Sequence, residues 1–96
     1  MDNVGGSDYE KIRIDLVRLK TEEDALKRFG RLKGMPADYN SELEELHGIL
    51  QAWDKPLKIE IVIGGNIGPF TKLMEMLENV RTTNNNLLFV VIMYMA

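Results

Sequence analysis

A chain of 96 residues, 45% apolar and 28% charged, has the balance of one globular domain, which excludes a second domain and an intrinsically disordered chain. Its net charge of −3 argues against direct nucleic-acid binding, which needs a basic stripe to release phosphate counterions. The absence of cysteine excludes a thiol nucleophile, Cys-ligated zinc and a disulfide, and it fits a reducing cytoplasm.

Residues 1–7 are Gly-rich and polar without an apolar run, so a flexible tail over 1–8, and not a signal peptide, is expected ahead of one domain over 9–96. Ile12, Ile14 and Leu16 alternate with Arg13 and Asp15, and Val17 and Leu19 continue the run, which predicts a first strand over 11–19. Thr21 with Asp24 resembles a capping box, and Ala25, Leu26, Phe29 and Leu32 recur at helical spacing, predicting a helix over 22–32. Gly34 tolerates positive φ and Pro36 fixes a turn, so 33–40 reads as a loop.

Ser41 with Glu44 has the pattern of a full reciprocal capping box at the start of a second helix. Leu43, Leu46, Ile49, Leu50 and Trp53 form its apolar stripe, leaving Glu44, Glu45, Gly48 and Gln51 toward solvent, and Pro56 ends it. Leu57, Ile59, Ile61 and Ile63 alternate with Lys58, Glu60 and Val62 as a second strand that stops at Gly64 and Gly65. Gly68 and Pro69 open a third helix over 69–82, whose core positions are Leu73, Met76, Leu77 and Val80.

Asn84, Asn85 and Asn86 make a polar turn, and the nearly unbroken apolar run over 87–93 predicts a strand that is central or covered on both faces. The apolar stretch over 87–96 is half the roughly 20 residues that a membrane-spanning helix needs, so a membrane partner is not expected. Whether the Met-rich end over 93–96 packs internally or forms an interface stays open. The order β, α, α, β, α, β favours right-handed crossovers, hence an α/β fold with a small three-stranded parallel sheet packed by helices.

Charge is uneven along the chain. Residues 1–36 carry eight basic and seven acidic side chains and 56–96 three of each, whereas 37–55 carry Asp38, Glu42, Glu44, Glu45 and Asp54 against Lys55 alone. That stretch reads either as a solvated helix face whose acids suit the helix dipole, or as a surface shaped for a basic groove on another protein. In such a groove carboxylates replace phosphates and form charge-assisted hydrogen bonds with Arg and Lys.

An enzymatic reading rests on His47, the one histidine, three residues after Glu44 and downstream of Asp38, as an acid/base pair. No nucleophile motif accompanies it, so no catalytic residue is assigned. Gly64, Gly65 and Gly68 follow a strand and precede a helix, but without the P-loop Lys-Ser/Thr ending or the dinucleotide spacing they read as a turn and cap. One histidine and scattered carboxylates give no zinc or calcium pattern, and no cofactor is expected.

Three single residues have two readings each. Trp53 is a core residue or a contact hot spot, and Tyr39 is a staple against the helix or an aromatic contact. Gly48, mid-helix on the exposed face, costs about 1 kcal/mol relative to Ala, which is either tolerated or serves a close approach.

The segment over 34–61, GMPADYNSELEELHGILQAWDKPLKIEI, resembles the centre of the barstar family, intracellular inhibitors of secreted microbial ribonucleases. The resemblance rests on Met35, Pro36 and Tyr39 in the loop, Leu43, Glu44 and Leu46 in the helix, then Pro56, Leu57 and Ile59. Position by position, the family's first inhibitory aspartate falls on Glu44 and its second on Gly48. The family's loop tyrosine, glycine and asparagine fall on Asp38, Asn40 and Glu42, and its helix tryptophan on His47, while Tyr39 and Trp53 keep aromatic character. The connection over 63–69 is shorter than the one that holds an additional small helix in that family.

The resemblance implies a barstar-like fold and a cytoplasmic immunity protein that is not an enzyme and occludes the active site of a basic microbial ribonuclease. Its partner-binding residues would be Asp38, Tyr39, Asn40, Glu42, Glu44, Glu45, His47 and Gly48. The alternative is a non-inhibitory interaction or regulatory domain on the same scaffold.

Overall fold

Three parallel strands, β1 (Glu10–Asp15), β2 (Leu57–Ile63) and β3 (Leu87–Met93), form one sheet in the order β1-β2-β3 in a computed structural model that describes residues 10–94. The tail expected over 1–8 and the last two positions of the Met-rich end lie outside the described residues. Three helices link the strands: α1 (Glu22–Phe29) and α2 (Leu43–Gln51) between β1 and β2, and α3 (Thr71–Thr83) between β2 and β3. The chain is therefore a small α/β fold with a three-stranded parallel sheet.

Two successive crossovers that step in the same direction and share one hand place their helices on the same face of a sheet. Burial follows this rule. Ile12, Ile14, Leu57, Ile59, Ile61 and Leu87 join Phe29, Leu46, Leu50, Leu73, Leu77 and Val80 in a single core. The register Ile12↔Ile59↔Phe89 and Ile14↔Ile61↔Val91 aligns this apolar row across the sheet. The opposite face carries Lys11, Arg13, Lys58 and Glu60, where Glu60 pairs with Arg13 at 3.8 Å and Lys58 at 3.6 Å.

Several sequence expectations change here. β1 stops at Asp15, not at 19, because Asp15 Oδ1 accepts the Val17 N–H at 3.1 Å and its carbonyl accepts from Arg18, turning the chain before the apolar run is spent. α1 ends at Phe29, not at 32: the next residues bond three back, Gly30 to Lys27, Arg31 to Arg28 and Leu32 to Phe29, so Leu32 reaches the core from a tight turn. Its start is as expected, with Thr21 Oγ1 accepting the Asp24 N–H at 3.2 Å.

α2 does not use the Ser41–Glu44 capping box. Ser41 sits at φ 60, which turns the chain so that Glu42 becomes the N-cap, without a side-chain cap bond. The third helix likewise begins two residues late, at Thr71, because Gly68–Phe70 forms a 3-10 turn first. β3 is neither central nor covered on both faces. Its step past β2 makes it an edge strand, and Leu88, Val91 and Met93 are exposed.

α2 ends at Gln51, well before Pro56, and a side chain from the other end of the fold finishes it. The buried Asn84 amide donates to the carbonyls of Leu50 at 2.9 Å and Trp53 at 2.8 Å, while its Oδ1 accepts the Asn86 N–H at 2.9 Å. Each carbonyl has one further donor, the Trp53 N–H on Leu50 at 3.2 Å and the Asn86 amide on Trp53 at 3.2 Å, so the Asn84 amide completes a shared cluster at the helix end. Replacing Asn84 by Ala removes three short side-chain hydrogen bonds from this cluster, those to Leu50, Trp53 and the Asn86 N–H, so the unfolding free energy in urea should fall by about 2–3 kcal/mol. Asn84→Asp should cost more than Ala, because it aims a carboxylate at two carbonyl oxygens; equal stability of wild type and Asn84→Ala would refute the clip.

Candidate functional site

The segment from Gly34 to Gln51 is the most strongly signed stretch of the chain, with no Lys or Arg between Lys33 and Lys55. Gly34 opens it at φ 91, in the left-handed region, with its Cα hydrogen side toward the Trp53 ring: a Cβ there would stand 3.5 Å from Trp53 Cη2. A turn follows, in which the Pro36 carbonyl accepts the Tyr39 N–H at 3.1 Å and Asp38 projects into solvent.

Tyr39 points the other way. Its hydroxyl donates to the Leu26 carbonyl of α1 at 2.8 Å, and its ring packs over Gly30, where a Cβ would lie 3.3 Å from the ring carbon Cδ2. Of the two readings of Tyr39, its main contacts are thus those of a staple, though to α1 and not to the helix that follows it. Burial, and secondarily the Glu45 charge, pushes its phenol up from 10.0 to about 12.

The loop's other end is tied as well, because the Asn40 N–H donates to Glu45 Oε1 at 2.8 Å. Glu45 is therefore half-buried and structural, whereas Asp38, Asn40, Glu42 and Glu44 are exposed. Between the two ties Ser41 holds φ 60, a left-handed conformation costing a non-glycine residue on the order of 1–2 kcal/mol. Strain of this kind persists where the surroundings over-determine it, here the bonds at Tyr39 and Asn40.

Along α2, Glu44, Gly48 and Gln51 fall on one exposed stripe. A Cβ at Gly48 would meet nothing within 4 Å, so the domain's own packing does not call for glycine there. His47 turns toward the neighbouring helix, where its Nε2 pairs with Asn79 Oδ1 of α3 at 3.0 Å. Among the described residues no hydrogen bond joins His47 to Glu44 or Asp38, the partners that an acid/base reading requires. Nor does any group of three or more His, Asp or Glu gather to hold a metal.

Sequence reasoning missed the groove of about 280 Å³ beside the loop, lined by Pro36, Ile49, Ala52 and Trp53 together with the charged Asp54 and Lys55. Its signal was the Gly34–Pro36 turn facing the end of the apolar stripe. Trp53 is 8% exposed, a core residue with one edge on the groove, and its buried indole N–H has no hydrogen-bond partner among the described residues. The candidate surface thus comprises exposed Asp38 in the loop and exposed Glu42, Glu44 and Gly48 at the start of and along α2, with Tyr39 and Glu45 partly buried as its ties and His47 bonded to α3.

Compared with models of known protein families the chain matches none, and no curated protein matches it in sequence. No described helix is long and apolar enough to cross a membrane.

The raised Tyr39 pKa sets an alkaline limit on the loop. Its neutral form is favoured in the folded state, so this stabilisation is complete below pH 10, the unfolded value, and is lost as pH rises toward about 12. Tyr39→Phe should cost about 1 kcal/mol at neutral pH, from the lost hydrogen bond to Leu26, and should flatten the decline over that alkaline window. Denaturant unfolding at stepped pH reads both effects, and an identical alkaline decline in the variant would contradict them.

Proposed function

We propose that the chain is a non-catalytic, protein-binding module that enters a basic groove with the loop over 36–41 and the exposed stripe of α2. The observation that carries this reading is the display of Asp38, Glu42 and Glu44 in solvent on a loop and helix start tied down at Tyr39 and Asn40. A pre-ordered anionic surface loses little entropy on binding, and its charge steers encounter with a cationic partner.

The partner class proposed is a basic microbial ribonuclease whose active site the loop and α2 occlude, as the resemblance over 34–61 to barstar-like inhibitors suggests. In that arrangement the carboxylates stand in for RNA phosphates, and Gly48 lets the partner approach the helix backbone. An immunity protein of this kind acts in the cytoplasm, where the nuclease is made. It needs no cofactor.

Gly48 itself favours a second reading. It leaves no carboxylate where the family's second inhibitory aspartate falls, so an interaction domain for a basic protein other than a nuclease uses the same surface.

Calorimetric titration into a panel of small basic microbial ribonucleases, with RNA cleavage followed in parallel, tests both readings. The inhibitor reading expects tight, salt-sensitive binding that abolishes cleavage. The double change Asp38→Ala with Glu44→Ala should weaken the complex by roughly 100-fold or more with the thermal midpoint nearly unchanged. Binding without loss of cleavage selects the second reading, and an affinity indifferent to both substitutions removes this surface from either.

A further inference from the structure

The two edges of the sheet are built differently. Four of the six residues of β1, EKIRID, are charged, which blunts that edge against pairing with another strand. β3, LLFVVIM, has no charged residue, no proline and no glycine. None of residues 82–96 is charged. Four of the six exposed large apolar residues among those described, Leu88, Val91, Met93 and Tyr94, lie on β3 or directly after it.

The free edge also has a defined hydrogen-bonding phase. The Leu57 N–H donates to the Asn86 carbonyl at 3.0 Å, and the Tyr94 N–H to the Ile63 carbonyl at 2.8 Å. In a parallel ladder alternate residues face the neighbour, so Leu88, Val90 and Ile92 bond to β2. Phe89, Val91 and Met93 therefore aim their N–H and C=O groups outward, symmetrically about Val91.

We infer that this edge binds a second copy of the chain, β3 pairing antiparallel with its twin about a two-fold axis at Val91 to make a six-stranded sheet. In this register Val91 faces Val91 of the second copy and Phe89 faces its Met93, each pair exchanging both backbone hydrogen bonds. Leu88 then stands opposite Tyr94 and Val90 opposite Ile92, apolar cross-strand pairs on the open face.

The helix face fits the same operation. A groove of about 230 Å³ runs beside the edge, floored by Leu77, Phe89 and Val91 and rimmed by Met74, Glu78 and Arg81. Met93 of the second copy, 62% exposed in the single chain, comes opposite Phe89 at this groove. Glu78 and Arg81 pair with each other within one chain, so the rim carries no unbalanced charge to repel its twin. A self-complementary edge of this kind suits a twin better than an unrelated strand. The acidic surface on α2 stays free, because α2 packs between α1 and α3 and away from β3.

Sedimentation velocity over a concentration series tests the pairing, together with amide hydrogen exchange. The wild type should pass from monomer to dimer as concentration rises, and the Phe89, Val91 and Met93 amides should gain protection in step. Val91→Lys sets two like charges face to face at the axis, so it should stay monomeric where the wild type is fully dimeric, with an unchanged circular dichroism spectrum. Met93→Lys, at a more exposed position, gives the same reading should Val91→Lys fail to fold. A wild type that is monomeric throughout overturns the inference, as does a dimer that survives both lysines or leaves those three amides unprotected.

Discussion

The structure depends on the shared direction and hand of its two parallel crossovers. A parallel connection must carry a helix across the sheet, and two such steps in succession lay every helix on one face. β2 consequently has a strand on each side and α helices above, and Leu57, Ile59 and Ile61 are essentially sealed. The same constraint leaves the other face without a helix, with charged pairs around Glu60 beside the apolar Val62, Val90 and Ile92, and among the described residues it leaves β3 with one unpaired edge.

A one-sided sheet of three strands has a thin core, and two polar devices hold its helices in place. Asn84 closes the end of α2 from the turn that precedes β3, so elements more than thirty residues apart share one hydrogen-bonded cluster. Tyr39 anchors the loop before α2 to the carbonyl of Leu26, and Glu45 anchors it from the other side through Asn40. Between these fixed points the chain accommodates Ser41 in a left-handed conformation and keeps Asp38, Glu42 and Glu44 in water. Rigidity beneath and charge on top belong to the same short segment.

Much of the candidate surface was legible because charge is a property of composition: the run of acids between Lys33 and Lys55 needs no coordinates to be seen. The division of labour within it was not legible. Glu44 and Glu45 look equivalent in sequence, yet one is exposed and the other accepts a backbone N–H five residues upstream. Tyr39 reads equally well as a contact or a staple until Leu26 and Gly30 are brought beside it. His47 reads as a partner for Glu44 until Asn79 arrives from α3.

Sequence periodicity by itself determined the order of strands and helices, the parallel sheet, and the bounds of β2 and β3, because alternation and helical spacing are local consequences of which face is buried. It failed where local signals compete. The Ser41–Glu44 capping pattern is real in sequence, but the ties at Tyr39 and Asn40 impose a backbone in which Ser41 cannot act as the cap. An unbroken apolar run such as LLFVVIM records only that water is unwelcome on both sides. That it lies at an edge, its outward N–H and C=O groups unpaired among the described residues, was decided by strand order, a relation among distant segments that no local pattern encodes.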